Sequence, residues 1–144
     1  MMKFALIAHD GNKADMIAFI SKRLDFFNRK DVSIVATGTT GEKIEHGGIV
    51  EVEKVASGPY GGDAEIGGMV SRGEIEAVLF LRDPLERHVH EPDISTLLRL
   101  CDVHNVPLAT NYSTMSLLIK YYKTIQPIKP KKLDKPHYIR VPEE

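Results

Sequence analysis

Five short apolar runs recur along the chain: Phe4–Ala8, Ser33–Ala36, Val50–Ala56, Ala77–Leu81 and Pro107–Ala109. Most are continuous rather than alternating, as strands covered on both faces should be. The third alternates, with Val50, Val52 and a late Val55, which places it nearer a sheet edge. Helical patterns fill the gaps. From Lys13 to Phe27, Met16, Ile17, Ile20, Leu24 and Phe27 form one stripe at three- and four-residue spacing. Glu91-Pro92-Asp93 opens a second helix, since proline suits a first helical turn. Ile94, Leu97, Leu98 and Cys101 make up its buried face. Shorter helices are predicted over Asp63–Arg72 and Thr114–Tyr122. Repeated strand–helix alternation predicts an α/β fold, a parallel sheet with helices on both faces.

Composition narrows the function classes. The chain has 144 residues and 16.1 kDa, one ordinary domain with room for a real core. Hydrophobic residues at 42% and charged residues at 27% exclude wholesale disorder. A net charge of -1 leaves no global basic field for nucleic acid, and the aromatic residues are too scattered for a base-stacking surface. Cys101 is the single cysteine. It allows no intrachain disulfide and no Cys-rich zinc site, and it reads as an inert core thiol. No apolar run approaches the roughly 20 residues of a membrane span. The N-terminal run is too short for a signal peptide and lacks a small-residue cleavage site. The expectation is a soluble, cytoplasmic protein with no membrane and no nucleic-acid partner. Charge is uneven, however. Lys120–Glu144 holds seven Lys/Arg against three Asp/Glu, and four of the eight prolines. A domain is therefore expected over residues 1–122, followed by a basic Pro-rich arm over 123–144. Tyr138, Ile139 and Val141 of that arm could pack on the body or on a neighbouring subunit.

Each apolar run is followed at once by residues that carry chemistry. These are His9, Asp10 and Lys13, then Thr37-Gly38-Thr39-Thr40-Gly41, then Ser57-Gly58-Pro59-Tyr60-Gly61-Gly62-Asp63. Asp83, His88, His90 and Asp93 follow the fourth run, and Asn111 the fifth. In an open parallel sheet such segments converge at the carboxyl ends of the strands, the usual ligand crevice. Thr37–Gly41 suits an anion cradle, with hydroxyl donors and a following helix N-terminus. An ordinary capped turn would use the same residues. Asp63 suits a general base; taken alone, helix capping explains it as well or better. Two histidines and two carboxylates in the fourth segment invite a metal reading, but His-x-His is a loose pattern. A neutral histidine that polarises a carbonyl, oriented by a carboxylate, is the competing reading. A solvated loop residue remains open for each histidine singly. His46, His104 and His137 receive no role.

Taken together, these motifs resemble the methylglyoxal synthase family. The matching stretches are Leu6-Ile7-Ala8-His9-Asp10 with Lys13, Ala36-Thr37-Gly38-Thr39-Thr40-Gly41, Ser57-Gly58-Pro59 with Gly61-Gly62-Asp63, and Arg82-Asp83-Pro84-Leu85 with His90-Glu91-Pro92-Asp93. Leu98-Arg99-Leu100-Cys101 and Pro107-Leu108-Ala109-Thr110-Asn111 also fit, in order, from about residue 3 to residue 114. The resemblance implies a single Rossmann-like three-layer α/β domain with a five-stranded, mostly parallel sheet. It implies a lyase that converts dihydroxyacetone phosphate into methylglyoxal and inorganic phosphate without metal or organic cofactor. It further implies a homo-oligomer, commonly a hexamer, often inhibited by phosphate. By motif, Asp63 matches the catalytic base, His90 the histidine on the carbonyl side and Asp93 a supporting carboxylate. His9, Lys13, Thr37, Gly38, Thr39, Thr40, Ser57 and Gly58 match substrate- and phosphate-binding positions; Asp10 and Asp83 are supporting. Ala64-Glu65, Val89 and Thr114-Met115-Ser116 depart from the family pattern, and His88 is an extra ionisable group in its loop. A non-catalytic alternative shares the fold, the effector-binding regulatory domain of carbamoyl phosphate synthetase.

Overall fold

The continuous apolar stretches become one sheet. The computed structural model describes residues 1–49 and 51–124 of the chain. Its strands are β1 (Met2–Ala8), β2 (Val32–Thr37), β3 (Glu53–Val55), β4 (Ala77–Leu81) and β5 (Leu108–Ala109). They run in the order β3-β2-β1-β4-β5, and every pairing is parallel. Central β1 sets Leu6 opposite Ala36 of β2 and Leu79 of β4. Side chains alternate across a strand, so each face acquires its own core. Met2, Phe4, Leu6 and Ala8 pack with Met16, Phe19, Phe26, Phe27, Ile44, Met115 and Tyr122 on one face. Ala5, Ile7, Val78 and Phe80 pack with Ile66, Val70, Ile94, Leu97 and Cys101 on the other. Helices α1 (Lys13–Ser21), α2 (Leu24–Phe27), α3 (Gly38–His46) and α6 (Tyr112–Thr124) therefore cover the first face. Helices α4 (Gly62–Ser71) and α5 (Glu91–Val103) cover the second. This is the three-layer α/β domain the pattern predicts, with the sheet wholly parallel. Burial pushes the Cys101 thiol up to about 12, and only 1% of the residue is exposed.

Two elements differ from expectation. The single helix predicted over Lys13–Phe27 breaks at Lys22 and Arg23 into α1 and α2. The break lets Phe26 and Phe27 both enter the core, where each meets Phe4 edge-to-face. Arg23 secures the break. Its guanidinium lies 3.8 Å from the Phe19 ring centre, and it donates to the Phe19 carbonyl and to Ser116 Oγ of α6. The third strand is confined to Glu53–Val55, shorter than the run at 50–56, whose Val50 lies outside the described residues. It is an edge strand, as its alternation implied. Just past it, the Ala56 N–H donates to the Glu65 carboxylate of α4 at 3.2 Å. The basic arm falls, from residue 125 onward, outside the described residues. Among the described residues no helix is long and apolar enough to cross a membrane.

Candidate active site

Strand order reverses between β1 and β4, and open parallel sheets bind ligands outside the carboxyl ends at such a switch. Main-chain bonding draws the two strand ends together there. His9 N–H donates to the Leu81 carbonyl at 3.1 Å. Four segments close around a pocket of about 280 Å³, lined by Ile7, Ala8, His9, Asp10, Lys13, Thr37–Thr40, Ser57–Pro59, Asp63, His88 and His90. Of the site residues picked out in the sequence, only Asp83 and Asp93 do not line it.

At one end the pocket is built for an anion. Lys13, from the first turn of α1, pairs with Asp10 Oδ1 at 2.9 Å and donates to Thr39 Oγ1. That pairing holds the Asp10 carboxyl below its usual range. Helix α3 starts at Gly38, and Thr37 makes no side-chain cap. The first-turn N–H groups are therefore not taken up by a cap, and they face the same end as Lys13. The capped-turn reading of Thr37–Gly41 thus lacks its hydrogen bond. Gly38 has φ +38°, and a Cβ there would strike the Ser57 side chain. Glycine is required for this close approach.

The same pocket carries Asp63 and three histidines. Asp63 sits in the first turn of α4, behind Gly61 as N-cap. It is 0% exposed, and neither carboxylate oxygen accepts a hydrogen bond. It therefore caps nothing, which removes the alternative that was stronger for the residue alone. Burial pushes its carboxyl up; the Asp93 charge adds to this, while His90 and His88 oppose it. His90 is the residue before α5, with Nε2 3.6 Å from Asp63 Oδ2. Gly58 makes room for that ring, since a Cβ on it would lie 2.6 Å from His90 Nε2. Asp93 lies in the first turn of α5, its N–H on the His90 carbonyl. No hydrogen bond or ion pair joins its carboxylate to His90 among the described residues, so its visible influence is on the charge of Asp63.

His9 has a defined tautomer. The Asp83 main-chain N–H donates to His9 Nδ1 at 2.8 Å. Burial, with His88, His90 and Arg82 nearby, lowers the His9 pKa to about 4. The neutral ring therefore carries its proton on Nε2, which is buried without a partner. Asp83 supports the site through its backbone, and its carboxylate accepts the Leu85 N–H. His9, His88 and His90 bring one ring nitrogen each within 4.8 Å of the others, the starting geometry of a three-histidine metal site. His9 does not fit that use: Nδ1 is engaged and Nε2 presents a hydrogen, not a lone pair. The set is a group of donors for ligand oxygens. Sequence reasoning weighed His88 only as one of two histidines in a metal reading and did not place it among the substrate-binding residues.

Comparison with known proteins agrees with this geometry. A family model described as an MGS-like domain matches residues 20–110. A methylglyoxal synthase of Carboxydothermus hydrogenoformans is 52% identical over 120 residues, 83% of this chain and 98% of that relative. One of Clostridium beijerinckii is 50% identical over 121 residues, 84% of this chain and 100% of the relative. The crystal structure of methylglyoxal synthase from Elizabethkingia anophelis superimposes with a TM-score of 0.73 at 37% identity, covering 82% of this chain and 76% of that one. Identity at this level over nearly the whole of each relative, on the same fold, shows that the chain belongs to the methylglyoxal synthase family.

Proposed function

We propose that this lyase converts dihydroxyacetone phosphate into methylglyoxal and inorganic phosphate. The observation that carries the reading is Asp63: a buried carboxylate with no hydrogen bond, facing a histidine, in the pocket that Lys13 and Thr37–Thr40 also line. Asp63 takes a proton from the hydroxymethyl carbon of the ketone, and the electron pair moves to the carbonyl oxygen. A positioned base with a raised pKa suits this step. His90 and the Nε2–H of His9 donate to the oxygen as it gains charge, where preorganised donors contribute most. The hydroxyl on the carbon that lost its proton then gives its own proton to the departing phosphate and becomes the aldehyde oxygen, while the carbon–carbon pair of the enediolate shifts to form a double bond to the phosphate-bearing carbon. The carbon–oxygen bond breaks and phosphate departs with both electrons. Lys13, Thr39 and the α3 N-terminus stabilise it. The enolate aldehyde left behind takes up at its methylene carbon the proton that Asp63 removed and becomes methylglyoxal.

The relatives named methylglyoxal synthase over their full length favour this enzyme over the regulatory-module alternative. Its base and donors come from side chains and main-chain N–H groups, so the reaction uses no metal or organic cofactor. We further propose that the chain works as a homo-oligomer, a hexamer by resemblance, and that product phosphate inhibits it by occupying the cradle. Support for assembly comes from Tyr60, Leu85 and Val89, large apolar side chains exposed on the loops that carry the site. The test is to add dihydroxyacetone phosphate and measure methylglyoxal and phosphate together. Equal amounts of both are expected; phosphate without methylglyoxal, or neither, would overturn the reading.

A further inference from the structure

His88 is the one pocket histidine that this chemistry leaves without work. Its main chain is fixed by the turn into α5: its N–H donates to Glu91 Oε1 at 3.1 Å, and its carbonyl accepts the Glu91 N–H at 3.2 Å. Its ring lies over that of His9, with centroids 3.9 Å apart and planes tilted by 32°. The His90 ring is 5.4 Å away. His88 Nε2 is buried and unpartnered, as is His9 Nε2 beside it, and His9 as a whole is only 8% exposed. Unpaired buried polar groups are destabilising, and here they line a cavity that a ligand can enter.

Two stacked rings present their edges side by side. Such a pair suits two oxygens on neighbouring carbons better than one oxygen between them. The proposed substrate has that pattern at its reacting end, a carbonyl oxygen next to a hydroxyl. Lys13 and Thr39 serve the phosphoryl end, and no hydrogen bond or ion pair links His88 to either among the described residues. Resting on the reaction proposed above, we infer that His88 is a further substrate-binding residue, whose Nε2–H donates to the hydroxyl oxygen of the carbon that loses its proton. That oxygen stays a hydroxyl while the carbon loses its proton and becomes a carbonyl oxygen, still an acceptor, only as phosphate departs, so the contact is similar before and during the first step. Interactions of that kind act on KM rather than on kcat.

The test compares His88→Ala and His88→Gln. His88→Ala should raise KM for dihydroxyacetone phosphate on the order of tenfold, as loss of one such hydrogen bond does. His88→Gln retains a donor of similar reach and should recover most of that loss. Affinity for inorganic phosphate, which lacks the hydroxyl, should not change. The same comparison in an Asp63→Asn background reads binding of the intact ester by calorimetry, whether or not the chain turns it over. Absence of turnover in the unaltered chain therefore counts against the reaction, and unaltered ester affinity in His88→Ala counts against this role for His88. Equal losses for ester and phosphate would move His88 to the phosphoryl end and overturn the assignment. A glutamine variant as weak as alanine would reduce its role to stacking on His9.

Discussion

A carboxylate that is fully buried and accepts no hydrogen bond destabilises the fold that holds it, and Asp63 is in that position. Its folded pKa lies above the ordinary 3.8, so the folded chain binds this proton more tightly than the unfolded chain does. Stability is therefore lost as pH rises from 3.8 through the folded value. Asp63→Asn removes the charge and keeps the shape. Turnover should fall by about 10²–10⁴, while the fold gains on the order of 1 kcal/mol at pH 7. Melting curves of both proteins against pH should converge towards pH 4; a variant less stable than its parent at pH 7 would contradict the argument. Gly58 offers a second test. A methyl group there must displace the His90 ring, and displacement by about an ångström can lower turnover about 10²-fold. Gly58→Ala should do this with little change in melting temperature, because Gly58 is not buried. The residue types were legible in the sequence, since Asp63, His90 and Lys13 follow apolar runs. Their atoms were not. The Asp83 contribution runs through a main-chain N–H that composition does not reveal, and His88 enters the pocket through the shape of its loop.

At the scale of elements, hydrophobic spacing located the strands well and the break between α1 and α2 poorly. Met16, Ile20, Leu24 and Phe27 fit one helical stripe, so the pattern carries no sign of a break. Its cause is tertiary: Phe26 and Phe27 both pack on Phe4 of β1, a long-range contact. Arg23 then ties the end of α1 to α6 through Ser116 and covers Phe19. Arg23→Ala gives up a cation–π contact and two hydrogen bonds and should destabilise the chain by about 1–2 kcal/mol. The measurement is denaturant unfolding, with the midpoint moved and the slope retained. Since Arg23 lies away from the pocket lining, KM should stay the same. The short β3 was equally hidden. Its length is set where the Ala56 N–H leaves the ladder for Glu65 of α4, a partner nine residues along whose direction no periodicity specifies.

For the whole molecule, alternation of strands and helices announced a parallel sheet, but not the order β3-β2-β1-β4-β5. That order opens the gap between β1 and β4 and brings four distant segments to one pocket. A ligand that bridges Lys13 on α1 and the start of α3 joins parts that unfolding separates, so phosphate should stabilise the entire fold. At about 100 times its Kd the gain is ~2.7 kcal/mol. Lys13→Ala should remove most of this rise in melting temperature; an undiminished rise would locate phosphate elsewhere. Cys101 supplies a way to watch the same coupling in time. It is the only thiol in the chain, sealed against the sheet with its ionisation pushed up to about 12. The thiolate is what attacks an alkylating reagent, so labelling must wait until α5 lifts from β4. The rate of labelling then counts openings of the native molecule, one mark per chain, without denaturant. If α5 lifts only when the whole domain opens, saturating phosphate should slow labelling by the factor that its stabilisation implies, about a hundredfold at 100 Kd. Labelling that phosphate leaves unslowed would mean that α5 detaches by itself, carrying His90 away from Asp63 each time it does.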